Sequence, residues 1–81
     1  MRLGVYSLEK VLYQGEAREI NVKTASGEIT ILDHHRPLIT MLQAGPLKIV
    51  DQAGQEHFFD LHSGFAEVSS QNQVQLIVDE A

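Results

Sequence analysis

Cysteine is absent from this chain of 81 residues. The chain therefore forms no disulfide, presents no thiolate nucleophile and builds no zinc site on sulfur. No window approaches the ~20 consecutive apolar residues of a membrane-spanning helix. Residues 1–6 also lack the apolar stretch of a secretory signal. We expect any membrane association to depend on a partner protein.

Basic residues are scarce and scattered. Six lysines and arginines stand against eleven aspartates and glutamates, which gives a formal net charge of −5. A surface that binds phosphates needs clustered basic side chains, and no such cluster occurs. The sequence therefore argues against a nucleic-acid partner, and its acidity favours solubility.

Long helical periodicity is also missing. Nowhere do apolar residues keep a helical spacing for the ~10 to 12 residues that identify a helix. Turn-forming residues recur about every 8 to 12 residues, which is typical of an all-β sandwich or barrel. Neither a linker nor an internal repeat divides the chain. We therefore expect one all-β domain over residues 1–81.

Alternating apolar and polar residues indicate two hairpins in the second half of the chain. The first pairs residues 47–50 with 55–61 around a turn of Asp, Gln, Ala and Gly. The second pairs residues 65–68 with 73–78. Each hairpin is expected to bury one face.

The first half is expected to contain shorter strands. Residues 29–32 form a mainly apolar run, which suits a strand covered on both faces. Residues 38–42 fit either a strand or a helical turn after Pro37. The expected strands are residues 2–7, 11–13, 18–23 and 29–32.

The five aromatic residues are expected in the core, because a small sandwich needs large side chains between its sheets. Adjacent residues of a strand point to opposite faces, so we expect one of Phe58 and Phe59 to lie outside the core. An exposed aromatic side chain there suits a protein interface. The aromatic residues are Tyr6, Tyr13, Phe58, Phe59 and Phe65.

Residues 27–38 form the most informative segment, because charged groups flank a tight apolar run. Glu28 follows a glycine that can adopt positive φ, and a run of charged and polar residues at 33–36 ends at Pro37. We interpret the segment as a docking loop. An ordinary turn beside a buried strand is the alternative.

A metal-dependent enzyme is a second function that the residues leave open. Asp33, His34 and His35 are ligand types, and His62 could complete a site from elsewhere in the chain. Three consecutive residues rarely converge on one ion, however. No nucleophile elbow or phosphate-binding loop occurs either, so we expect no catalytic residue.

Several pieces of the chain, taken in order, resemble the epsilon subunit of bacterial F-type ATP synthase. No single piece is specific, but the ordered set spans nearly the whole chain. The pieces are residues 7–16, Gly27-Glu28-Ile29-Thr30-Ile31, His35-Arg36-Pro37-Leu38, Leu42, Gly45-Pro46-Leu47-Lys48-Ile49, Ser63-Gly64-Phe65-Ala66-Glu67-Val68 and residues 74–81.

The resemblance implies an all-β fold, a ten-stranded antiparallel β-sandwich of two five-stranded sheets. It implies a non-catalytic rotor subunit of the central stalk that binds the gamma subunit and the ring of membrane c subunits, and so couples ion flow to ATP synthesis. It implies no cofactor and no metal. It also implies a peripheral position at the cytoplasmic face of the bacterial membrane, reached only through the complex.

The resemblance also carries over residue by residue. Glu28 and His35 match the glutamate and histidine that face the polar loops of the c ring, and His34 and Arg36 flank the same site. Those loops carry a basic residue in the family. An acidic side chain such as Glu28 can meet it in a charge-assisted hydrogen bond.

The gamma-facing surface of the family is apolar. Leu12, Tyr13 and Leu42 match positions near that surface. A freestanding β-sandwich adaptor for another partner is the alternative to the rotor hypothesis.

Many epsilon subunits continue past the equivalent of Ala81 into a two-helix carboxy-terminal domain. That domain restrains ATP hydrolysis and in some species binds ATP. Residues 1–81 hold no counterpart of it, so on this resemblance we expect no nucleotide site. A naturally short subunit and a shortened chain both fit.

Overall fold

The computed structural model describes all residues from 1 to 81 and contains seven strands. It has no helix that is long and apolar enough to cross a membrane. The strands are β1 (Arg2–Tyr6), β2 (Val11–Thr24), β3 (Gly27–Leu32), β4 (Leu38–Leu42), β5 (Gly45–Asp51), β6 (Glu56–Val68) and β7 (Gln73–Glu80).

Strand pairing links all seven strands into one continuous sheet. Because β2 and β6 pair with different neighbours along their length, this sheet folds into two layers, which are called the first and the second sheet below. In the first sheet, β1 lies between residues 11–16 of β2 and strand β7, and residues 63–68 of β6 lie between β7 and β4. In the second sheet, the end of β2 lies between β3 and β5, and β5 also pairs with the start of β6. All pairs are antiparallel except β1 with β7.

The all-β class is confirmed, but the expected ten strands are not. β2 and β6 are 14 and 13 residues long and each serves both sheets. The register of β2 against β5 skips Arg18, and that of β6 against β7 skips His62. Such bulges bend a strand, so one strand stands where the sequence pattern predicts two.

The core between the sheets is aliphatic. Inward-facing residues alternate with outward-facing ones along each strand, as the period of a strand requires. None of the five aromatic residues is fully buried, and only Tyr13 and Phe59 pack against the core, so the expectation of an aromatic core was wrong for Tyr6, Phe58 and Phe65. The largest fully buried side chains are Leu3, Val5, Ile20, Val22, Ile31, Leu47, Ile49, Leu61 and Leu76.

Both predicted hairpins are present, as β5 with β6 and as β6 with β7. Residues 38–42 form a strand, β4, and not a helical turn. Strand β3 pairs only with β2 and is an edge strand. Glu28, Thr30 and Leu32 on one of its faces are exposed, so the expectation of cover on both faces was wrong. Its Ile31 is buried while Leu32 is half exposed.

Candidate functional site

Five neighbouring side chains, four apolar and one tyrosine, form a row on the outer face of the first sheet. Met41 of β4 lies opposite Phe65 of β6, and Phe65 lies opposite Ile77 of β7. Ile77 lies opposite Tyr6 of β1, which in turn lies opposite Val11 of β2. Residues directly opposite are about 5 Å apart at Cβ, so their side chains are in reach of one another. We call these five residues the apolar row.

The apolar row is open to solvent. The exposed fraction is 64% for Met41, 53% for Val11, 43% for Phe65 and 41% for Ile77. Ile39, on the same face of β4, is 71% exposed. A contiguous exposed apolar surface of this kind is typical of a protein interaction site.

Polar residues border the apolar row on both sides. On one side, Glu67 lies two residues after Phe65 on β6 and opposite Gln75 of β7. On the other side, Ser63 lies two residues before Phe65 and opposite Asp79. All four are exposed. An apolar centre with a polar rim is the usual anatomy of a protein interface.

The residues predicted to face gamma lie elsewhere. Leu42 is only 3% exposed and belongs to the core, so its side chain is not available to a partner. Leu12 and Tyr13 are half-buried and pack against that core. Leu12 is the extra residue of a bulge, since Val5 lies opposite Tyr13 while the next residue of β1 lies opposite Val11.

The outer face of the second sheet is charged, with one aromatic side chain. Lys48 Nζ lies 3.6 Å from Glu19 Oε2 and 3.8 Å from Glu56 Oε2. Phe58 lies opposite Lys48 and is 61% exposed, while Phe59 packs against the core. The expectation that one of these two aromatics lies outside the core is confirmed.

Glu28 lies at the start of β3, directly after the turn that joins β2 to β3. Gly27 has φ +117°, as the sequence predicts for this turn. The side-chain amide of Asn21 donates to Glu28 Oε2 at 3.2 Å and leaves the other carboxylate oxygen free. Glu28 also lines an open cleft of about 390 Å³ together with Lys23 and Gln43.

Asp33 and His34 are held by internal contacts. Asp33 accepts hydrogen bonds from the amino-terminal ammonium of Met1 and from Asn72 Nδ2, and the ammonium in particular holds the pKa of this carboxyl below its ordinary value. His34 has φ +61°, and its backbone N–H donates to Asn72 Oδ1 at 2.7 Å. Residues 27–32 of the predicted docking loop thus form strand β3 and not a loop, and Asp33 and His34 tie the end of that strand to the β6–β7 turn.

His35 and Arg36 follow this anchored turn. The backbone N–H of His35 donates to the Leu32 carbonyl at 3.2 Å, and His35 Nδ1 lies 2.8 Å from the Arg36 carbonyl oxygen. The Arg36 side chain is exposed. His35 is thus oriented by its own loop, beyond the end of β3.

The structure does not bring Glu28 and His35 together. They flank opposite ends of β3, and the four residue steps from Glu28 to Leu32 alone span roughly 13 Å of extended strand. A surface that contacts both residues must therefore run along β3.

The residues of the metal hypothesis do not converge. Asp33 is engaged by the ammonium, while His34 and His35 lie on an exposed turn. His62 is the extra residue of the β6 bulge and lies at the other end of the sandwich from Asp33. Its Nδ1 atom is 3.8 Å from Asp79 Oδ2. No three Asp, Glu or His side chains are grouped closely enough to hold an ion.

A hydrogen-bonded cluster closes the β5–β6 hairpin. Asp51 Oδ1 accepts from the backbone N–H groups of Ala53 and Gln55, each at 2.9 Å, and Asp51 Oδ2 lies 2.9 Å from His57 Nε2. The bond to His57, followed by these N–H groups, lowers the pKa of Asp51 below its ordinary value. The ring of Tyr13 meets the His57 ring edge-on, with centroids 5.3 Å apart.

The β-sandwich domain of the ATP synthase delta/epsilon chain is the family whose sequence profile matches, over residues 1–81. The chain belongs to this family. The resemblance to the epsilon subunit is thereby confirmed, and the sandwich of this family agrees with the two sheets described above.

A curated member of the family is similar over the full length of the chain. ATP synthase epsilon chain 2 of Burkholderia orbicola is 38% identical over 81 residues, which are 100% of this chain and 53% of that protein. The chain therefore spans about half the length of this relative.

Two solved structures share the fold. A chain in the Euglena gracilis mitochondrial ATP synthase structure of OSCP, F1 and c-ring superimposes with a TM-score of 0.87 at 22% identity, covering 94% of this chain and 48% of its own length. A chain in the Tetrahymena thermophila mitochondrial ATP synthase central stalk and c-ring structure gives a TM-score of 0.83 at 21% identity, covering 99% and 63%.

No residue of the apolar row is among the predicted site residues, although the sequence contains a signal for the row. Along β7, Val74, Leu76 and Val78 are the inward set, so Ile77 is an apolar residue at an outward position. Ile39 and Met41 occupy the equivalent outward positions of β4. Apolar residues on the solvent side of an alternating strand are the pattern that identifies such a surface.

Proposed function

We propose that this chain acts in an F-type ATP synthase as a non-catalytic subunit of the central stalk. In this proposal it binds the gamma subunit with the apolar row and the c ring with the surface along β3, and so couples ion flow to ATP synthesis. It reaches the cytoplasmic face of the membrane only through the complex. The single observation that carries the proposal is the exposed apolar row in a member of the delta/epsilon family.

The apolar row suits a protein partner such as gamma in both composition and position. Phe65 and Tyr6 are aromatic, and Met41 is flexible; these residue types are enriched at the centres of interfaces. The five side chains lie on five adjacent strands of one sheet, one on each strand, and this pairing holds them in a fixed arrangement. Leu42 of β4 is buried, so we assign the contact with gamma on this strand to Met41 and Ile39, which point outward.

The c-ring contact is assigned to residues at the two ends of β3. Glu28 presents a free carboxylate oxygen beside the cleft, and His35 and Arg36, preceded by His34, lie beyond the other end of the strand. A basic residue on a c-ring loop is a suitable partner for Glu28. An exposed pair of this kind contributes at most ~1 kcal/mol, so we assign it to the registry of the two partners more than to affinity.

No catalytic role is assigned to the chain. The Asp51–His57 pair has no hydroxyl or thiol nucleophile positioned beside it, since the Tyr13 hydroxyl donates to the Glu16 carbonyl at 2.8 Å. Burial, together with the nearby carboxylates of Asp51 and Glu16, raises the pKa of Tyr13 above its ordinary value.

Titration calorimetry of this chain with the gamma subunit of the same organism tests the proposal. We expect saturable one-to-one binding that a Glu28→Gln/His35→Ala double variant leaves unchanged. The same double variant is expected to bind a purified c ring more weakly than the wild-type chain does. Absence of gamma binding at micromolar concentrations would reject the stalk role and favour a freestanding adaptor.

A further inference from the structure

A polar groove lies directly beside the apolar row. It has a volume of about 370 Å³, and Gly4 of β1 is one of the residues that line it. Gly4 lies opposite Gln14 on one side and Gln75 on the other, and Gln75 lies opposite Glu67. We call this the Gly4 groove.

Position 4 has to be glycine, because the ring of Tyr6 lies over it. A Cβ atom at position 4 would lie 2.3 Å from Tyr6 Oη and 2.6 Å from Tyr6 Cζ, so the phenol ring of Tyr6 lies over the space that a side chain would fill. Tyr6 therefore belongs both to the apolar row and to the wall of the groove. The groove and the row form one continuous surface.

The polar groups of the groove include one carboxylate, that of Glu67. It takes part in no ion pair of the structure. Gln14 and Gln75, on either side of Gly4, carry amide groups that can accept as well as donate hydrogen bonds. The one basic residue of the lining, Arg2, has its Nη1 atom 3.9 Å from Glu16 Oε2.

We infer that the Gly4 groove binds an arginine side chain of the protein that covers the apolar row; this inference rests on the proposed function, in which that protein is the gamma subunit. Glu67 and Phe65 point to the same side of β6, two residues or roughly 7 Å apart. A partner that lies on Phe65 therefore reaches Glu67 without rearrangement.

Arginine suits the groove better than lysine does. Guanidinium is a planar fork of five N–H donors with no acceptor, and it stacks on aromatic rings. The groove offers a carboxylate, two amide oxygens and the phenol ring of Tyr6, which lies over Gly4. The compact ammonium of lysine uses the carboxylate but not the flat aromatic wall.

Titration calorimetry with gamma tests the inference through Glu67→Gln, which removes the charge and keeps the shape. We expect its Kd to rise about tenfold at low salt, as for a desolvated charge-assisted contact, and to depend less on salt than that of the wild-type chain. Asp60→Asn is the matched control, because Asp60 lies on the same strand but in its second-sheet half, away from the groove. It should leave the Kd unchanged.

Phe65→Ala separates the two proposals. If Phe65→Ala weakens gamma binding and Glu67→Gln does not, the arginine inference is overturned and the stalk function stands. If gamma does not bind the wild-type chain, both are overturned.

Double-mutant cycles identify the cation. Each arginine of gamma is replaced by glutamine in the presence of wild-type chain and of Glu67→Gln. One arginine is expected to lose most of its effect when Glu67 is already neutral. Strictly additive losses for every arginine, or coupling to a lysine alone, would overturn the inference.

Discussion

Replacing Phe65 with alanine should weaken gamma binding, and the exposed area of this side chain determines the expected loss of binding free energy. A phenylalanine side chain presents roughly 200 Å², and Phe65 is 43% exposed in the free chain. About 90 Å² is thus left for the partner to cover, which at ~25 cal/mol per Å² is about 2 kcal/mol. The Kd is therefore expected to rise roughly 30-fold.

The same substitution also removes the part of the side chain that packs within the sheet. We expect a loss of about 2 kcal/mol in the free energy of unfolding, which a domain of this size tolerates. Chemical denaturation would verify that the variant is folded before its binding is measured by titration calorimetry.

Phe58→Ala is the matched control, because Phe58 lies on the same strand, is also exposed and points from the other sheet. The Kd of the Phe58→Ala variant for gamma should stay within about twofold of that of the wild-type chain. An unchanged Kd for Phe65→Ala, or equal losses for both variants, would refute the assignment of gamma to the apolar row.

Three further outcomes are expected. Leu76→Ala, at a side chain with 0% exposure, should lower the free energy of unfolding by about 2 to 5 kcal/mol in urea titrations; a loss under ~1 kcal/mol would contradict its place in the core. Gly64→Ala would place a Cβ atom 2.5 Å from the Ile77 carbonyl oxygen, so we expect it to destabilise by roughly 1 to 3 kcal/mol, and an unchanged melting temperature would show that this approach is not tight. The pKa of Asp51 is lowered in the folded state by His57 and backbone N–H groups, so the stabilising effect of this carboxylate is present above its ordinary pKa of 3.8 and is lost as the pH falls through the lower pKa of the folded state. Asp51→Asn should therefore flatten the fall of the melting temperature below about pH 4. An equal fall of the melting temperature in the variant and the wild-type chain would argue against this role of Asp51.

Local patterns in the sequence are enough to predict the two hairpins of the second half. The turn at 51–54 ends in Gly54, with φ +85°, and the turn at 69–72 ends in Asn72, with φ +59°. Glycine and asparagine are the residues that adopt this conformation most readily. Because the paired strands adjoin these turns, the pairing follows from neighbouring residues alone.

The size of an aromatic residue does not determine whether it faces solvent or the space between the sheets. Tyr6, Phe58 and Phe65 occupy outward positions, while valine, leucine and isoleucine fill the space between the sheets. Alternation along a strand and register against its neighbours decide the face of each residue. The bulge that skips His62 shows how local this decision is, since one extra residue changes which side chains of β6 point inward.

By itself, the sequence determined the all-β class, the hairpins and the family, because each depends on composition, on adjacent residues or on ordered motifs. Only the tertiary structure decided that Tyr6 and Ile77, from opposite ends of the chain, lie side by side in the apolar row, and that β3 separates Glu28 from His35. The physical reason is that strand pairing over long sequence separations depends on register, and a shift by one residue moves a whole strand face from solvent to core.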